Sequence, residues 1–258
     1  MHLTLATETV VNCPTSNHVR RLGTRDTFEC LDPETLSALA GRVECIGAGC
    51  DLVTPGETTR TVRVLLQGWA ARYQSLEDGR RQIISFMFAG DAASFWTPAA
   101  GLADQGVRTL TPCRLLVIEG RRLAEVARTN PIVAERMRLA ASANVANLNA
   151  WLVNLGLRKA PERTAHLLCE LWRRLSLAGW SVGNADCLLP LTQQDLADAL
   201  GMTSVHVNRV LQRLRAMGLI DLRKGALILR DRAGLAGMCA FDGGYLNPAH
   251  IECPGAST

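Results

Sequence analysis

Residues 203–217, TSVHVNRVLQRLRAM, carry the side chains best suited to recognising a polyanion. At about 100° per residue, Val207, Val210, Leu211, Leu214 and Met217 gather on one side of a helix as its packed face. The other side collects Val205, Asn208, Arg209 and Gln212, flanked by Ser204 and Arg213. These are hydrogen-bond donors and one methyl-bearing side chain, with no carboxylate among them. A helix that meets water usually mixes in Glu or Asp, whereas one that meets phosphates and base edges must avoid them. This face therefore predicts a helix that lies on duplex DNA.

Such a helix needs a platform, and the flanking residues supply one. In LTQQDLADALGMTSVHVNRVLQRLRAMGLI, residues 191–220, Thr192 stands as an N-cap with Asp195 three positions on, so a first helix runs from Thr192 to Gly201. Thr203 caps the second and Gly218 stops it. LIDLRKGALIL then reads as two short strands with Lys224 and Gly225 at the turn, the wing of a winged helix. Upstream, APERTAHLLCELWRRL restarts a helix at Pro161, with Leu167, Leu168, Leu171, Trp172 and Leu175 on its apolar side. Between 158 and 232 twelve Lys and Arg face seven Asp and Glu, an excess of five positive charges that suits the same partner.

A longer helix precedes these. In RRLAEVARTNPIVAERMRLAASANVANLNAWLVNLGL the one proline, Pro131, starts a helix better than it sits inside one, which predicts a helix over 131–157. Met137, Ala141, Asn144, Leu148, Trp151 and Leu155 are spaced 4, 3, 4, 3, 4, the alternation of coiled-coil a and d positions. The same spacing would also serve a helix packed on its own domain. Asn144 tilts the reading towards a dimer, because a lone amide in an apolar seam pairs with its symmetry mate and fixes register. Before this helix come strand-like runs, TVRVLLQGWAARYQS, RQIISFMFAG and RLLVIEG, with a turn at Asp78 and Gly79. Their close spacing suggests a sandwich or small barrel. LDPETLSALAGRV reads as a short helix capped by Asp32, with Leu36 and Leu39 on its buried side, and residues 1–25 as a flexible extension.

Composition agrees with this division of labour. With 258 residues, 48% hydrophobic and 20% charged, the chain can bury a core and form two ordinary domains. No stretch approaches a membrane span, and MHLTLATETVVNCPTSNHVRR lacks the basic-then-apolar order of a signal peptide, which predicts a cytoplasmic protein. Nine cysteines at irregular spacing argue against a disulfide framework.

With these parts in this order, residues 26–247 resemble the Crp/Fnr transcription regulators, most specifically in LTQQDLADALGMTSVHVNRVLQRLRAMGLI and RKAPERTAHLLCELWRRL. The resemblance implies an α+β fold in three parts. A jelly-roll β-barrel like a cyclic-nucleotide-binding sensor occupies 26–130, a dimerisation helix 131–157, and a winged helix-turn-helix 158–247, with a tail at 248–258. It also implies a homodimer, an inverted-repeat DNA site, RNA polymerase as a second partner, and no enzymatic activity. The family reads bases with a Glu and an Arg four apart. Arg209 stands at the Arg, but Val205 replaces the Glu, so the family's usual base at that point does not carry over. Arg209 is expected at a guanine edge, Asn208 and Gln212 at a base or phosphate, and Val205 at a thymine methyl. Thr192, Gln193, Ser204 and Arg213 are expected on the backbone.

The sensor departs further. Cyclic-nucleotide-binding relatives grip the phosphate with an Arg-Ser pair, where this chain offers Ala103 and Asp104, with Arg108 several residues late. A carboxylate there repels phosphate, so cyclic AMP is not the expected effector. The Fnr branch holds an iron–sulfur cluster on closely spaced cysteines. Cys13, Cys30, Cys45, Cys50 and Cys113 lack that clustering, so no cluster is expected. No His lies between 19 and 165, which argues against haem and against a barrel metalloenzyme. A thiol-based redox regulator of the same fold, using Cys45 with Cys50 or Cys30, is the alternative.

Overall fold

The computed structural model describes residues 39, 41–93, 102–177, 186–223 and 226–246. Most of the expected helix at Asp32, the residues 1–25 and the Lys224–Gly225 turn lie outside them; of that helix's expected span Leu39 is buried, while Arg42 and Val43 are strand. Seven strands form the first part: β1 (Arg42–Ile46), β2 (Asp51–Val53), β3 (Thr61–Gln67), β4 (Ala70–Ser75), β5 (Arg81–Met87), β6 (Gly106–Thr109) and β7 (Cys113–Glu119). They pair antiparallel in two sheets, ordered β1-β7-β3 and β2-β6-β4-β5, with Val64 opposite Leu116 and Ala71 opposite both Phe86 and Arg108. The alternation of β3 and β7 puts Leu65, Leu115 and Val117 inward against Met87 and Val107 of the facing sheet. Gly68, at φ 96°, turns the chain between β3 and β4. A Cβ there would sit 2.5 Å from the Pro112 carbonyl oxygen, so both the backbone conformation and the space call for glycine. Strands β1, β2 and β6 had no clear sequence signal, because they are short or exposed and their alternation is weak.

Two helices follow, α1 (Gly120–Thr129) and α2 (Pro131–Leu157). Asn130 caps the second: its side chain accepts from the N–H groups of Ile132 and Val133 at 3.0 and 3.3 Å, and Pro131 takes the first turn, where its missing N–H costs nothing. The seam drawn from the 4-3 spacing is not the one α2 leaves open. Trp151 is 5% exposed and packs on Phe86 of β5. Asn144 accepts a hydrogen bond from Arg72 of β4 at 2.6 Å, and Met137 packs beside Val62 and Ile118. These three residues serve the chain's own barrel. Ala141 and Leu148 keep open surface, as does half-buried Leu155. The stripe facing outward is Ala141, Val145, Leu148 and Leu152, with Val145 55% and Leu152 72% exposed. The helix is apolar on two sides, so two seams one step apart fit the same spacing, and packing selects between them.

The third part comprises α3 (Ala160–Leu177), β8 (Asp186–Leu188), α4 (Gln193–Leu200), α5 (Ser204–Ala216), β9 (Ile220–Arg223), β10 (Ala226–Leu229) and α6 (Arg232–Cys239), ending in a 3-10 turn at Gly244–Leu246. β10 lies between β8 and β9, so the expected two-stranded wing has a third strand. Leu167, Leu168, Leu171 and Leu175 are buried on α3, as the sequence predicts. So is Glu170, at 0% exposure, which the sequence did not single out. Its carboxylate accepts from Trp151 Nε1 at 2.9 Å and from the Tyr245 hydroxyl at 2.8 Å, tying α2 and the C-terminal turn to α3. Burial pushes the Glu170 carboxyl above the usual carboxylate range, against the opposing pull of Arg174 and its two donors. Nearby His166 is buried against Phe241 and Tyr245, and burial, helped by Arg158, pushes its imidazole down to about 4. No helix among the described residues is long and apolar enough to cross a membrane.

Candidate nucleic-acid interface

α5 is the helix on which the sequence predicts a DNA-facing side, and a threonine hydroxyl sets the start of each helix of the pair. Thr203 Oγ1 accepts from the His206 N–H at 3.2 Å, fixing the first turn of α5. Ahead of α4, Thr192 and Asp195 close a capping box: Thr192 Oγ1 accepts from the Asp195 N–H at 3.0 Å, and Asp195 Oδ2 accepts from the Thr192 N–H at 3.0 Å and its hydroxyl at 2.7 Å. The Thr192 hydroxyl therefore both donates and accepts within the cap, and the neighbouring exposed Gln193 is the open polar side chain at that end. Gly201, at φ 61°, lets the chain reverse between the helices.

Val207, Val210, Leu211 and Leu214 of α5 are buried in the core of the third part, the head formed by Ala160–Leu246, as the helical wheel predicts. Met217 is not. It is the C-cap, 52% exposed, because the helix ends at Ala216, one residue short of the predicted stripe, with Gly218 in the left-handed region just beyond. Val205 is 62% exposed, and Asn208, Arg209, Gln212 and Arg213 are all exposed, while Ser204 is half-buried. One continuous surface thus carries two cations, two amides and an apolar group, with no carboxylate anywhere on α5. His206, exposed one residue after Val205, belongs to the same surface and was missed. A cleft of about 410 Å³ runs between Pro161 at the start of α3 and α5, lined by Thr203, Val205, His206, Arg209 and Arg213. The signal that could have found His206 is its i, i+3, i+7 relation to Arg209 and Arg213. Donors on an exposed helix, backed by a helix N-terminus that can meet phosphate, are the elements of groove binding.

In the barrel, two arginines are engaged by the chain's own groups. Arg108 lies on β6 and faces Asp51, at 3.1 Å, with 41% of its side chain exposed. The same carboxylate accepts from the Tyr73 hydroxyl at 3.1 Å. Arg72 is the buried cation, 7% exposed, and it spans Asn144 Oδ1 at 2.6 Å and the Ala92 carbonyl at 3.1 Å. Its guanidinium is thus engaged by the protein itself, with the Asp91 and Asp104 carboxylates nearby. Residues 94–101 of the segment expected to grip phosphate lie outside the described residues. Cys45 and Cys50 are both exposed and unbridged.

Comparison with known proteins agrees with this division. Residues 162–238 match the Crp-like helix-turn-helix domain, and residues 44–130 match the cyclic nucleotide-binding domain. The nitrogen fixation regulation protein FixK of Bradyrhizobium diazoefficiens is 28% identical over 202 residues, covering 78% of this chain and 83% of that one. The transcriptional activator protein FnrL of Cereibacter sphaeroides is 27% identical over 191 residues, 73% of this chain and 76% of the other. Among solved structures, FixK2 from Bradyrhizobium japonicum superposes with a TM-score of 0.72 at 23% identity, covering 79% of this chain and all of that one.

Proposed function

The chain belongs to the Crp/Fnr family of transcription regulators, and from that premise we propose that it acts as a homodimer that reads an inverted-repeat DNA site with α5. The observation that carries the reading is the open, carboxylate-free face of Val205, Asn208, Arg209, Gln212 and Arg213. Arg209 donates both arms to a guanine edge. Asn208 and Gln212 take a neighbouring base or phosphate, Val205 packs on a thymine methyl, and Arg213, Ser204 and Gln193 hold the backbone. Thr192 serves by fixing the N-terminus of α4 at the phosphate. Two chains associate through the outward stripe Ala141, Val145, Leu148 and Leu152, whose 4-3-4 spacing suits a parallel pair of helices. RNA polymerase is the second partner this reading assigns. The effector is not cyclic AMP, a reading supported by Ala103 and Asp104 at the phosphate-gripping positions and by Arg108 facing Asp51.

The test is selection of sites from a randomised duplex library with purified protein. The expected motif has two-fold symmetry, with half-sites about one helical turn apart. A motif without symmetry, or none, would remove the proposed placement of α5. Val205→Glu exchanges a methyl contact for an acceptor that suits cytosine N4. It is expected to move preference at one position from T·A to C·G, leaving its neighbours unchanged.

A further inference from the structure

The barrel and the reading head share more than a covalent linker. One apolar cluster runs from Trp69, Ile83 and Phe86 of the barrel through Trp151 to Leu196, Leu200 and Val207 of the head. At its edge, β5 reaches across to α4. Arg81 donates from Nε to Asp198 Oδ2 at 2.8 Å, and its Nη2 lies 2.7 Å from the same oxygen and 3.6 Å from Asp195 Oδ1. Next to it, Gln82 Nε2 donates to the Ala199 carbonyl at 3.1 Å, near the end of α4, where helical carbonyls lack partners. The ion pair is sheltered, the side chains of Arg81, Asp195 and Asp198 being 26%, 13% and 12% exposed.

The partners of Arg81 are not incidental. Asp195 is the acid of the capping box that starts α4, and Asp198 lies one turn on. Arg163 of α3 holds the far end, donating to the carbonyls of Leu200 at 2.8 Å and Leu155 at 2.9 Å. The first helix of the pair is thus gripped from both sides while every proposed base-reading side chain of α5 stays exposed. A contact that blocked DNA by covering the reading surface would lie on α5. This one holds α4 and leaves the reading surface open.

We propose that Arg81, with Gln82, is a positioning residue for DNA recognition: the clamp from β5 to α4 keeps the reading head in its DNA-binding orientation without a ligand in the barrel. Two recognition helices must enter their grooves together, so affinity depends on both heads being in place. If losing the clamp leaves each head competent about a third of the time, affinity for the paired site falls about tenfold.

The experiment is a charge swap in the full-length chain. Binding to the selected site and to a scrambled duplex is measured for R81E, D198R, R81E/D198R and Q82A, with folding checked by circular dichroism. The singles are expected to lose about tenfold in specific over scrambled affinity, the double to recover most of it, and Q82A to lose less than the charge variants. Hydrogen exchange at α4 amides in free protein is expected to rise in R81E and return towards wild type in the swap. Wild-type or tighter binding by R81E, or a folded swap as weak as the singles, would overturn the proposal. Should R81E not fold, unchanged binding by Q82A would do so. Failure of the DNA reading itself would look different, since wild-type protein would then select no site.

Discussion

Helices α5 and α2 both show helical periodicity, yet only α5 presents to solvent the face its periodicity predicts. α5 is one-sided: Val207, Val210, Leu211 and Leu214 are buried, and the intervening positions are polar or exposed. A wheel drawn on such a helix has one solution. α2 is two-sided, with Val133, Asn147, Trp151 and Asn154 buried inward and Val145 and Leu152 open outward. Spacing alone cannot rank two apolar stripes a residue apart. The lesson is that a recognition face is readable when one side of the helix is excluded from the core by its chemistry, and a two-sided helix is resolved by what it packs against.

The comparison is broken most severely by charging the outward stripe. Val145→Glu with Leu152→Glu places charges that single chains tolerate but that a dimer seam would bury without partners. Sedimentation is expected to show folded monomers that have lost site-specific binding altogether, and an intact dimer would return the seam to another face. On the inward side, Trp151→Ala removes a large buried ring and one of the donors to Glu170. A stability loss of about 3 to 5 kcal/mol is expected in denaturant unfolding. A loss below about 1 kcal/mol would mean that Trp151 is not part of the core.

The pH dependence sharpens the same inward core. The folded-state imidazole of His166 is pushed down to about 4, so the stability it contributes is present above the ordinary value near 6.5 and is lost as pH falls through about 4. Glu170, raised by burial, acts in the opposite sense, since its cost eases as pH falls. The difference between wild type and His166→Gln isolates the imidazole. Relative to the variant, wild type is expected to lose up to about 3 kcal/mol between pH 7 and pH 4, and parallel curves would contradict the assignment.

On the other helix the expected effects are smaller and divide by role. Arg209→Ala is expected to cost about 1 to 3 kcal/mol per half-site and relax one G·C position in a repeated site selection. Arg213→Ala is expected to weaken all sequences alike and to lower the salt slope by about one unit per half-site in binding titrations. If the two variants shifted specificity equally, base and phosphate contacts would be wrongly divided along α5.

Much of the reading head was legible because its signals are local. Thr192 with Asp195, Gly201, Thr203 and Gly218 act through neighbours within a few residues, so the bounds of α4 and α5 follow from the chain itself. Asn130 and Pro131 start α2 in the same way. By contrast, His206 was passed over despite its i, i+3, i+7 relation to Arg209 and Arg213, because an imidazole is neither an apolar marker nor a fixed charge on a helical wheel. The strands β1, β2, β6 and β8 are too short for alternation to register.

By itself, then, the sequence determined where the reading helices begin and end, which face of α5 is free of carboxylate, and how the strand-rich and helical parts follow one another. Caps, turns and one-sided periodicity depend on interactions within a turn or two, and those are written consecutively. The tertiary structure alone decided that Trp151 and Asn144 turn inward, that Glu170 is buried beneath Trp151 and Tyr245, and that Arg81 reaches Asp198 across 117 positions. These depend on which surfaces compete for the same apolar and charged side chains. That competition is settled only when barrel, long helix and reading head close on one core.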